Sequence, residues 1–278
     1  MFFRSVHFVP AHRSEFLDKS TGLTADAIVI DLEDAVPLSN KREAALALLE
    51  FMAKNPPVSG TRHFIRVNGI ESPILDLERQ ILATHPELGV VLPKIQGYDD
   101  LLVRQRHLEF RKIPPCIVLI EDPVGLESIG EILKRSRPAG VGIGLEDFLA
   151  CSIFPGDHLK LLRNTIRTTI ALAAMGAGIP CIDTVSMDLK GGGAFLEDCL
   201  EARSCGLTAK FTIHPAQISP CNEVFGLDDE AVRAAREIAG SFCGQVPTGY
   251  IKWNGRILSP PKVAKALYTV SKIDEVFP

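Results

Sequence analysis

Residues 27–34 read Ala-Ile-Val-Ile-Asp-Leu-Glu-Asp, a run of apolar residues that becomes acidic at its end. A short β-branched run without polar alternation predicts a strand that is buried on both faces, as in a parallel sheet. The stretch that follows, residues 39–54, has the pattern of an amphipathic helix. A buried strand followed by such a helix is the repeating unit of α/β folds.

The same unit recurs along the chain. Strands are predicted at residues 6–10, 27–34, 63–68, 89–94, 117–122, 140–147, 180–186 and 210–215. Helices are predicted between them at residues 13–19, 39–54, 72–84, 98–110, 124–136, 161–176 and 194–205. Eight strands favour a closed (β/α)₈ TIM barrel over an open doubly wound sheet, which usually has about five to seven strands. The chain of 278 residues also suits one barrel of about 250 residues.

The last part of the chain exceeds what a barrel needs. We expect a barrel core over residues 1–217 and a C-terminal helical extension over 218–278. The extension has predicted helices at 228–241 and 261–276, with a glycine- and proline-rich segment between them. It is a candidate lid or subunit contact.

Composition excludes several classes of partner. A net charge of −4 argues against nucleic acid or an anionic membrane surface. The sequence has no run of about 18 uncharged apolar residues, so we expect no membrane span. Its seven cysteines form no C-x-x-C pair, which predicts reduced thiols in a cytoplasmic protein.

Charged residues stand where most of the predicted strands end. In a TIM barrel these positions form one rim, and active sites are built there. Any single charge is unremarkable, because a buried strand must become polar when it leaves the core. Charges of both signs at the ends of six or seven strands favour an active site. These residues are Asp31, Glu33, Asp34, Arg66, Lys94, Glu121, Asp122, Glu146, Asp147, Asp183 and His214.

Two of these carboxylates, Glu121 and Asp147, lie on neighbouring predicted strands and could share one hard cation. Mg²⁺ usually takes one or two carboxylates and leaves its other positions to water and substrate. Such a cation can chelate a 2-keto acid and stabilise negative oxygen as a carbon–carbon bond breaks or forms. Arg66 offers a planar fork for a substrate carboxylate. Lys94 and His214 are weaker candidates.

Seven motifs at the predicted strand ends resemble, in order, those of the citrate lyase β-subunit-like enzymes of the HpcH/HpaI aldolase superfamily. The superfamily includes malyl-CoA and citramalyl-CoA lyases. The resemblance runs from about Arg4 to Gln217. The motifs are Phe8-Val9-Pro10-Ala11-His12-Arg13, Ile30-Asp31-Leu32-Glu33-Asp34-Ala35-Val36, Arg66-Val67-Asn68, Leu92-Pro93-Lys94, Ile120-Glu121, Gly144-Leu145-Glu146-Asp147 and Ile213-His214-Pro215-Ala216-Gln217.

The resemblance implies a Mg²⁺-dependent carbon–carbon lyase. By this resemblance Glu121 and Asp147 bind the metal, Arg66 holds the keto-acid carboxylate, and Glu33 and Asp34 act near the metal's waters. The backbone amides of Gly144 and Leu145 approach the substrate carboxylate, and Arg13 and Lys19 contact CoA phosphates. The resemblance further implies a homotrimer or hexamer, in which the C-terminal segment reaches over a neighbour's site.

The C-terminal segment departs from the family pattern at one position. Relatives that act on CoA thioesters carry an aspartate there as acid or base, whereas Ser259 stands at the matching place in this chain. A serine hydroxyl is not a suitable base near neutral pH.

Three readings therefore stay open. The first is a lyase that cleaves citramalyl-, malyl- or citryl-CoA into an acyl-CoA and a 2-keto acid, with CoA or an acyl-carrier protein as carrier. The second is a pyruvate-type aldolase or a hydroxyacyl-CoA thioesterase on the same scaffold. The third, a non-catalytic metabolite-binding subunit, is the least favoured.

Overall fold

The computed structural model describes residues 2–55, 61–110, 112–153 and 159–276. Eight parallel strands close into a barrel in the order β1 to β8, with β8 paired to β1. Their bounds are β1 Ser5–Pro10, β2 Ala27–Asp31, β3 Arg62–Arg66, β4 Gly89–Leu92, β5 Cys116–Ile120, β6 Gly140–Ile143, β7 Cys181–Asp183 and β8 Ala209–Thr212. The predicted TIM barrel and all eight of its strands are confirmed.

Helices connect the strands around the outside of the barrel. They are α1 Ser14–Ser20, α2 Lys41–Lys54, α3 Leu75–Thr84, α4 Tyr98–His107, α5 Pro123–Ser136, α6 Leu145–Ala150, α7 Lys160–Ala177, α8 Gly193–Ser204 and α9 Ile218–Val224. The predicted extension of β6 to residue 147 is wrong, because the strand ends at Ile143 and α6 begins two residues later.

Alternate residues of each strand face the barrel interior or the helices. In β2, Ala27 and Val29 belong to the interior cluster, whereas Ile28 and Ile30 pack in the outer layer. The interior is closed by large side chains such as Phe64 and Phe211. The barrel therefore has a solid core, and polar side chains of the interior set emerge only at its ends.

The chain divides into two compact units, of which the first comprises Phe3–Phe225 and the second begins at Gly226. The second unit contains α10 Asp229–Phe242, a hairpin of β9 Ile251–Trp253 and β10 Arg256–Leu258, and α11 Pro260–Val276. The two helices pack together, with Arg236 Nη2 lying 2.8 Å from Asp274 Oδ1. Among the described residues, no helix has the length and apolar character that crossing a bilayer requires.

Candidate active site

Strand alternation places three charged residues above the barrel core. Asp31, Arg66 and Glu121 lie two positions after Val29, Phe64 and Leu119, which all face the interior. They therefore face the interior too, at the carboxyl end of their strands. These three residues line a cavity of about 400 Å³, together with Asp34 of the β2–α2 loop and Asp147 of α6.

Arg66 is held in place by its neighbours. Its Nε and Nη2 donate to the two carboxylate oxygens of Asp31 at 2.8 and 2.5 Å. Its Nη1 lies 3.1 Å from Glu33 Oε2, and the guanidinium carbon lies 4.9 Å from the centre of the Phe8 ring. Burial alone would lower the pKa of Arg66, but Asp31 and the other carboxylates outweigh it and raise the pKa. One edge of the predicted fork is thus already engaged by Asp31, and the Nη1 side is turned toward the other acidic residues.

Lys94 connects the acidic residues of the cavity. Its Nζ lies 2.8 Å from Glu33 Oε1, 3.5 Å from Asp34 Oδ1 and 4.0 Å from Asp147 Oδ2. Burial alone would lower the pKa of Lys94, but the carboxylates of Glu33, Asp34 and Asp147 raise it. The ammonium group therefore stays charged at neutral pH and partly balances the acidic cluster.

Glu121 is buried at the end of β5, and only 4% of the residue is exposed. Its Oε2 accepts a 2.7 Å hydrogen bond from the backbone N–H of Lys94. Its carboxylate packs directly over Gly144, where an added Cβ would collide with Oε1 and Cγ. Burial raises the pKa of Glu121 to about 7, with Glu33 and Asp147 adding to the rise, while the Lys94 amide and Arg66 oppose it. Such a carboxyl group gains from a nearby cation.

Asp147 lies in the first turn of α6, and its side chain is 49% exposed. The start of this helix also positions Gly144 and Leu145. The N–H of Gly144 donates to Ile120 O at 3.0 Å, and the N–H of Leu145 lies 3.4 Å from Thr184 Oγ1. The Gly144 amide is therefore engaged within the barrel, and the Leu145 amide has only a weak contact.

Arg13 and Lys19 lie at the two ends of α1. Arg13 directly precedes α1, its Nε lies 2.7 Å from Glu15 Oε1, and its guanidinium stacks on Phe16 with 4.8 Å to the ring centre. Lys19 is exposed in the last turn of α1. Neither lines the 400 Å³ cavity. Both are open to solvent, where an extended anionic group could reach them.

The donor set fits a magnesium ion. Glu121 and Asp147 open onto one cavity and offer hard oxygen ligands. Across the described ranges no cluster of three or more His, Cys, Asp or Glu residues forms a complete metal cage. Mg²⁺ usually takes only one or two carboxylates and keeps several waters, so the two carboxylates of Glu121 and Asp147 are enough to hold it. Zinc sites usually include histidine or cysteine ligands, and the described residues that line this cavity include neither.

Two rim residues, Asp31 and Lys94, have larger roles in this site than the sequence predicts. Asp31 orients Arg66, and the β2–β3 register, which places the two residues opposite each other, was the available signal. Lys94 was rated a weak candidate, although it contacts three of the acidic residues. His214, another weak candidate, caps a turn: its Nδ1 accepts from the N–H of Ala216 at 3.2 Å.

Comparisons with known proteins point to one enzyme family. The model of the HpcH/HpaI aldolase/citrate lyase family matches residues 4–215. The chain is 32% identical to a citrate lyase subunit beta-like protein of Deinococcus radiodurans, over 95% of this chain and 94% of that protein. It is 27% identical to a (3S)-malyl-CoA thioesterase of Cereibacter sphaeroides, over 99% of this chain and 95% of the relative.

Among solved structures, the fold is similar to that of CitE from Mycobacterium tuberculosis in complex with magnesium, acetoacetate and coenzyme A. The TM-score is 0.71 at 25% identity, covering 96% of this chain and 97% of that chain. The family match spans the whole barrel, including every strand end that lines the cavity. The chain therefore belongs to the HpcH/HpaI aldolase/citrate lyase family.

Proposed function

We propose that this protein is a Mg²⁺-dependent carbon–carbon lyase that cleaves a 3-hydroxyacyl-CoA thioester of the citramalyl-, malyl- or citryl-CoA type into an acyl-CoA and a 2-keto acid. The observation that carries the proposal is the convergence of Glu121, Asp147 and Arg66 on one cavity above the barrel core. Two relatives support the substrate class, since one is named as a citrate lyase subunit beta-like protein and the other as a malyl-CoA thioesterase.

In this proposal Glu121 and Asp147 are the metal ligands. When bound, Mg²⁺ supplies a Lewis acid that stabilises negative oxygen during carbon–carbon cleavage. Glu33 and Asp34 are assigned to the surrounding water positions, where carboxylates orient water by accepting its hydrogen bonds. The buried position of Glu121 excludes bulk water from one side of the ligand and so strengthens its hold on a cation.

Arg66 is assigned to the carboxylate of the keto-acid half of the substrate. Asp31 holds one edge of the guanidinium in place. Its Nη1 can therefore exchange Glu33 for the incoming carboxylate of the substrate as its partner. We assign the backbone amide of Leu145 to the same carboxylate. The Gly144 amide, expected to share this role, donates to Ile120 O instead. Arg13 and Lys19 are assigned to the CoA phosphates, because both are cationic and exposed, one directly before α1 and the other in its last turn.

Ser259 favours a second candidate function on the same scaffold. It directly precedes α11, where its carbonyl accepts from the N–H groups of Lys262 and Val263 at 3.0 and 3.3 Å. A serine there leaves the thioester half of the site without the usual acid or base. Neither a hydroxyacyl-CoA thioesterase nor an aldolase that acts on pyruvate and an aldehyde forms a thioester enolate. Neither would therefore need an acid or base beside the thioester methyl carbon.

We further propose that the protein is a homo-oligomer, a trimer or hexamer, with residues 218–278 as its subunit contact or lid. Analytical ultracentrifugation gives the mass of the assembly in solution and so tests the oligomeric state.

A cytoplasmic location is also proposed, because all seven cysteines are free thiols and four of them are buried.

Titration calorimetry with pyruvate, oxaloacetate and acetoacetate tests the metal and keto-acid assignment. We expect keto-acid binding in the presence of Mg²⁺ and its loss with a chelator or in Glu121→Gln and Asp147→Asn. Both variants replace a charged oxygen ligand by an amide of the same shape, so their melting temperatures should stay near wild type. Binding of equal strength with and without Mg²⁺ would rule out the assignment.

A further inference from the structure

Lys94 has an unusual backbone conformation directly after β4. Its φ is 54°, in the left-handed region that non-glycine residues rarely adopt. Its N–H donates to Glu121 Oε2 at 2.7 Å, and its carbonyl accepts from Arg104 Nη2 at 3.2 Å. Both polar groups of this peptide segment are thus engaged, and the strained conformation directs the amide at a proposed metal ligand. Such outliers persist only where the surroundings hold them, and they cluster at functional sites.

The side chain of Lys94 performs a different task from its backbone. Its Nζ contacts carboxylates of Glu33, Asp34 and Asp147, and the side chain is 43% exposed. Lys41 offers a contrast, because its Nζ donates to Leu32 O, Glu33 O and Asn68 Oδ1, which are all uncharged acceptors. An exposed ammonium among carboxylates can withdraw into water without moving the backbone, whereas a lysine fixed on neutral oxygens is structural.

We propose that Lys94 is a positioning residue with two separable parts: its backbone amide orients Glu121, and its ammonium is a displaceable counter-charge that competes with the divalent cation for the acidic cluster. The inference rests on the proposed function, since it takes Glu121 and Asp147 as the metal ligands. A divalent cation at Asp147 and an ammonium group within 4.0 Å of the same carboxylate repel each other strongly, so one must leave for the other to bind. The ammonium therefore lowers the affinity for the cation and keeps the carboxylates together when no cation is bound.

Calorimetric titration of the full-length protein with Mn²⁺ tests the counter-charge. Lys94→Met should bind Mn²⁺ tighter, on the order of tenfold, because the competing charge is gone. Lys94→Arg keeps the charge and should bind within about twofold of wild type. Lys134→Met removes a charge from an exposed lysine near the end of α5 and serves as the matched control, with wild-type affinity expected.

Melting without metal tests the backbone. Lys94→Gly and Lys94→Met both lose the ammonium, but glycine adopts positive φ without strain, so Lys94→Gly should melt at the higher temperature. Lys94→Gly should also bind Mn²⁺ more tightly than wild type, because it too lacks the ammonium and keeps the backbone N–H that donates to Glu121.

Three results overturn the inference. If wild type binds Mn²⁺ and Lys94→Met binds it no tighter, the Lys94 ammonium does not compete with the cation, and the proposed metal site stands. If Lys94→Gly melts no higher than Lys94→Met, the positive φ at this position does not strain a non-glycine residue, and the proposed role of the backbone fails. If wild type binds no Mn²⁺ and Glu121→Gln changes nothing, the proposed metal site fails and this inference fails with it.

Discussion

Arg66 and Asp31 lie opposite each other on β3 and β2 and share two hydrogen bonds, from Nε to Oδ1 at 2.8 Å and from Nη2 to Oδ2 at 2.5 Å. Asp31 also accepts from the backbone N–H of Glu33 at 2.9 Å. The aspartate is thus fixed by its own loop, and it fixes the arginine in turn. A guanidinium held on one edge presents its other edge in a defined direction, which is what recognition of a substrate carboxylate requires.

Replacing Arg66 by lysine tests this arrangement. Lysine keeps the charge but cannot bridge Asp31 and a second carboxylate in one plane. We expect kcat/KM to fall by about 100-fold or more, and the free energy of unfolding to fall by about 1–2 kcal/mol. Steady-state kinetics and chemical denaturation measure the two effects, with Arg135→Lys on the exposed face of α5 as control. An Arg66→Lys variant with normal kcat/KM and a much lower melting temperature would make Arg66 a purely structural residue.

Gly144→Ala tests how the Glu121 carboxylate is accommodated. The φ of Gly144 is −96°, so alanine is allowed by the backbone, but its Cβ would collide with the Glu121 carboxylate. We expect divalent-cation binding to weaken by at least about tenfold in calorimetry, because Glu121 must move from its position. Gly130→Ala is the matched control, since a Cβ at that position of α5 meets only open space. Normal cation binding in Gly144→Ala would show that Glu121 is not held as a ligand.

Much of this architecture could be predicted from the sequence. Residues 27–30 of β2 are a purely apolar run, and similar apolar runs predict the other seven strands, because both faces of a barrel strand are buried. The apolar runs also predict Glu121 and Arg66 as rim residues, because a charged residue at the end of a buried strand lies where the strand leaves the core. These predictions depend on local sequence alone.

Other parts depend on information that local sequence carries weakly. Asp147 was placed on a strand, whereas α6 begins at Leu145, because an apolar run that passes directly into a short helix shows no change of period. The left-handed backbone of Lys94 is imposed by tertiary contacts with Glu121 and Arg104. The hairpin of β9 and β10 was missed although Asn254-Gly255 is a strong turn signal, and both residues have positive φ.

A buried ion cluster predicts how stability depends on pH. Asp198 of α8 lies 2.7 Å from Arg167 Nη2 and 2.8 Å from Lys210 Nζ. Burial alone would raise the pKa of Asp198, but Lys210 and Arg167 outweigh it and lower the pKa to about 2. In the unfolded chain the pKa of an aspartate is about 4. The difference from the folded value means that the ionised Asp198 stabilises the folded state by about 2 kcal/mol above pH 4.

That stabilisation should be lost as the pH falls from about 4 to about 2, because the unfolded state then binds a proton that the folded state still excludes. Denaturation measured across this range should therefore show a steeper loss of stability for wild type than for Asp198→Asn. Equal slopes for the two proteins would mean that Asp198 titrates normally in the folded state.

Ser259→Asp tests the thioester half of the proposed site. Aspartate is as good as serine at the start of a helix, so the substitution should leave α11 and the melting temperature unchanged. If residue 259 faces the thioester of a neighbouring site, the new carboxylate should raise acyl-CoA lyase activity, by up to about 10²-fold. Ser259→Asn is the matched control without a base. Fast exchange of the acetyl-CoA methyl protons by wild type, in the presence of Mg²⁺ and a keto acid, would instead place a competent base elsewhere.

The most direct test of the lyase assignment is to identify the products formed from malyl-, citramalyl- and citryl-CoA by mass spectrometry, with Mg²⁺ or with a chelator. Carbon–carbon cleavage releases a 2-keto acid and leaves a shorter acyl-CoA, whereas thioester hydrolysis releases free CoA and the intact hydroxy acid. We predict a 2-keto acid and acyl-CoA in equal amounts from one of the three esters, with Mg²⁺ only, and a lower yield in Arg66→Lys. Free CoA and the hydroxy acid as the only products, or cleavage that persists in the chelator, would contradict the account.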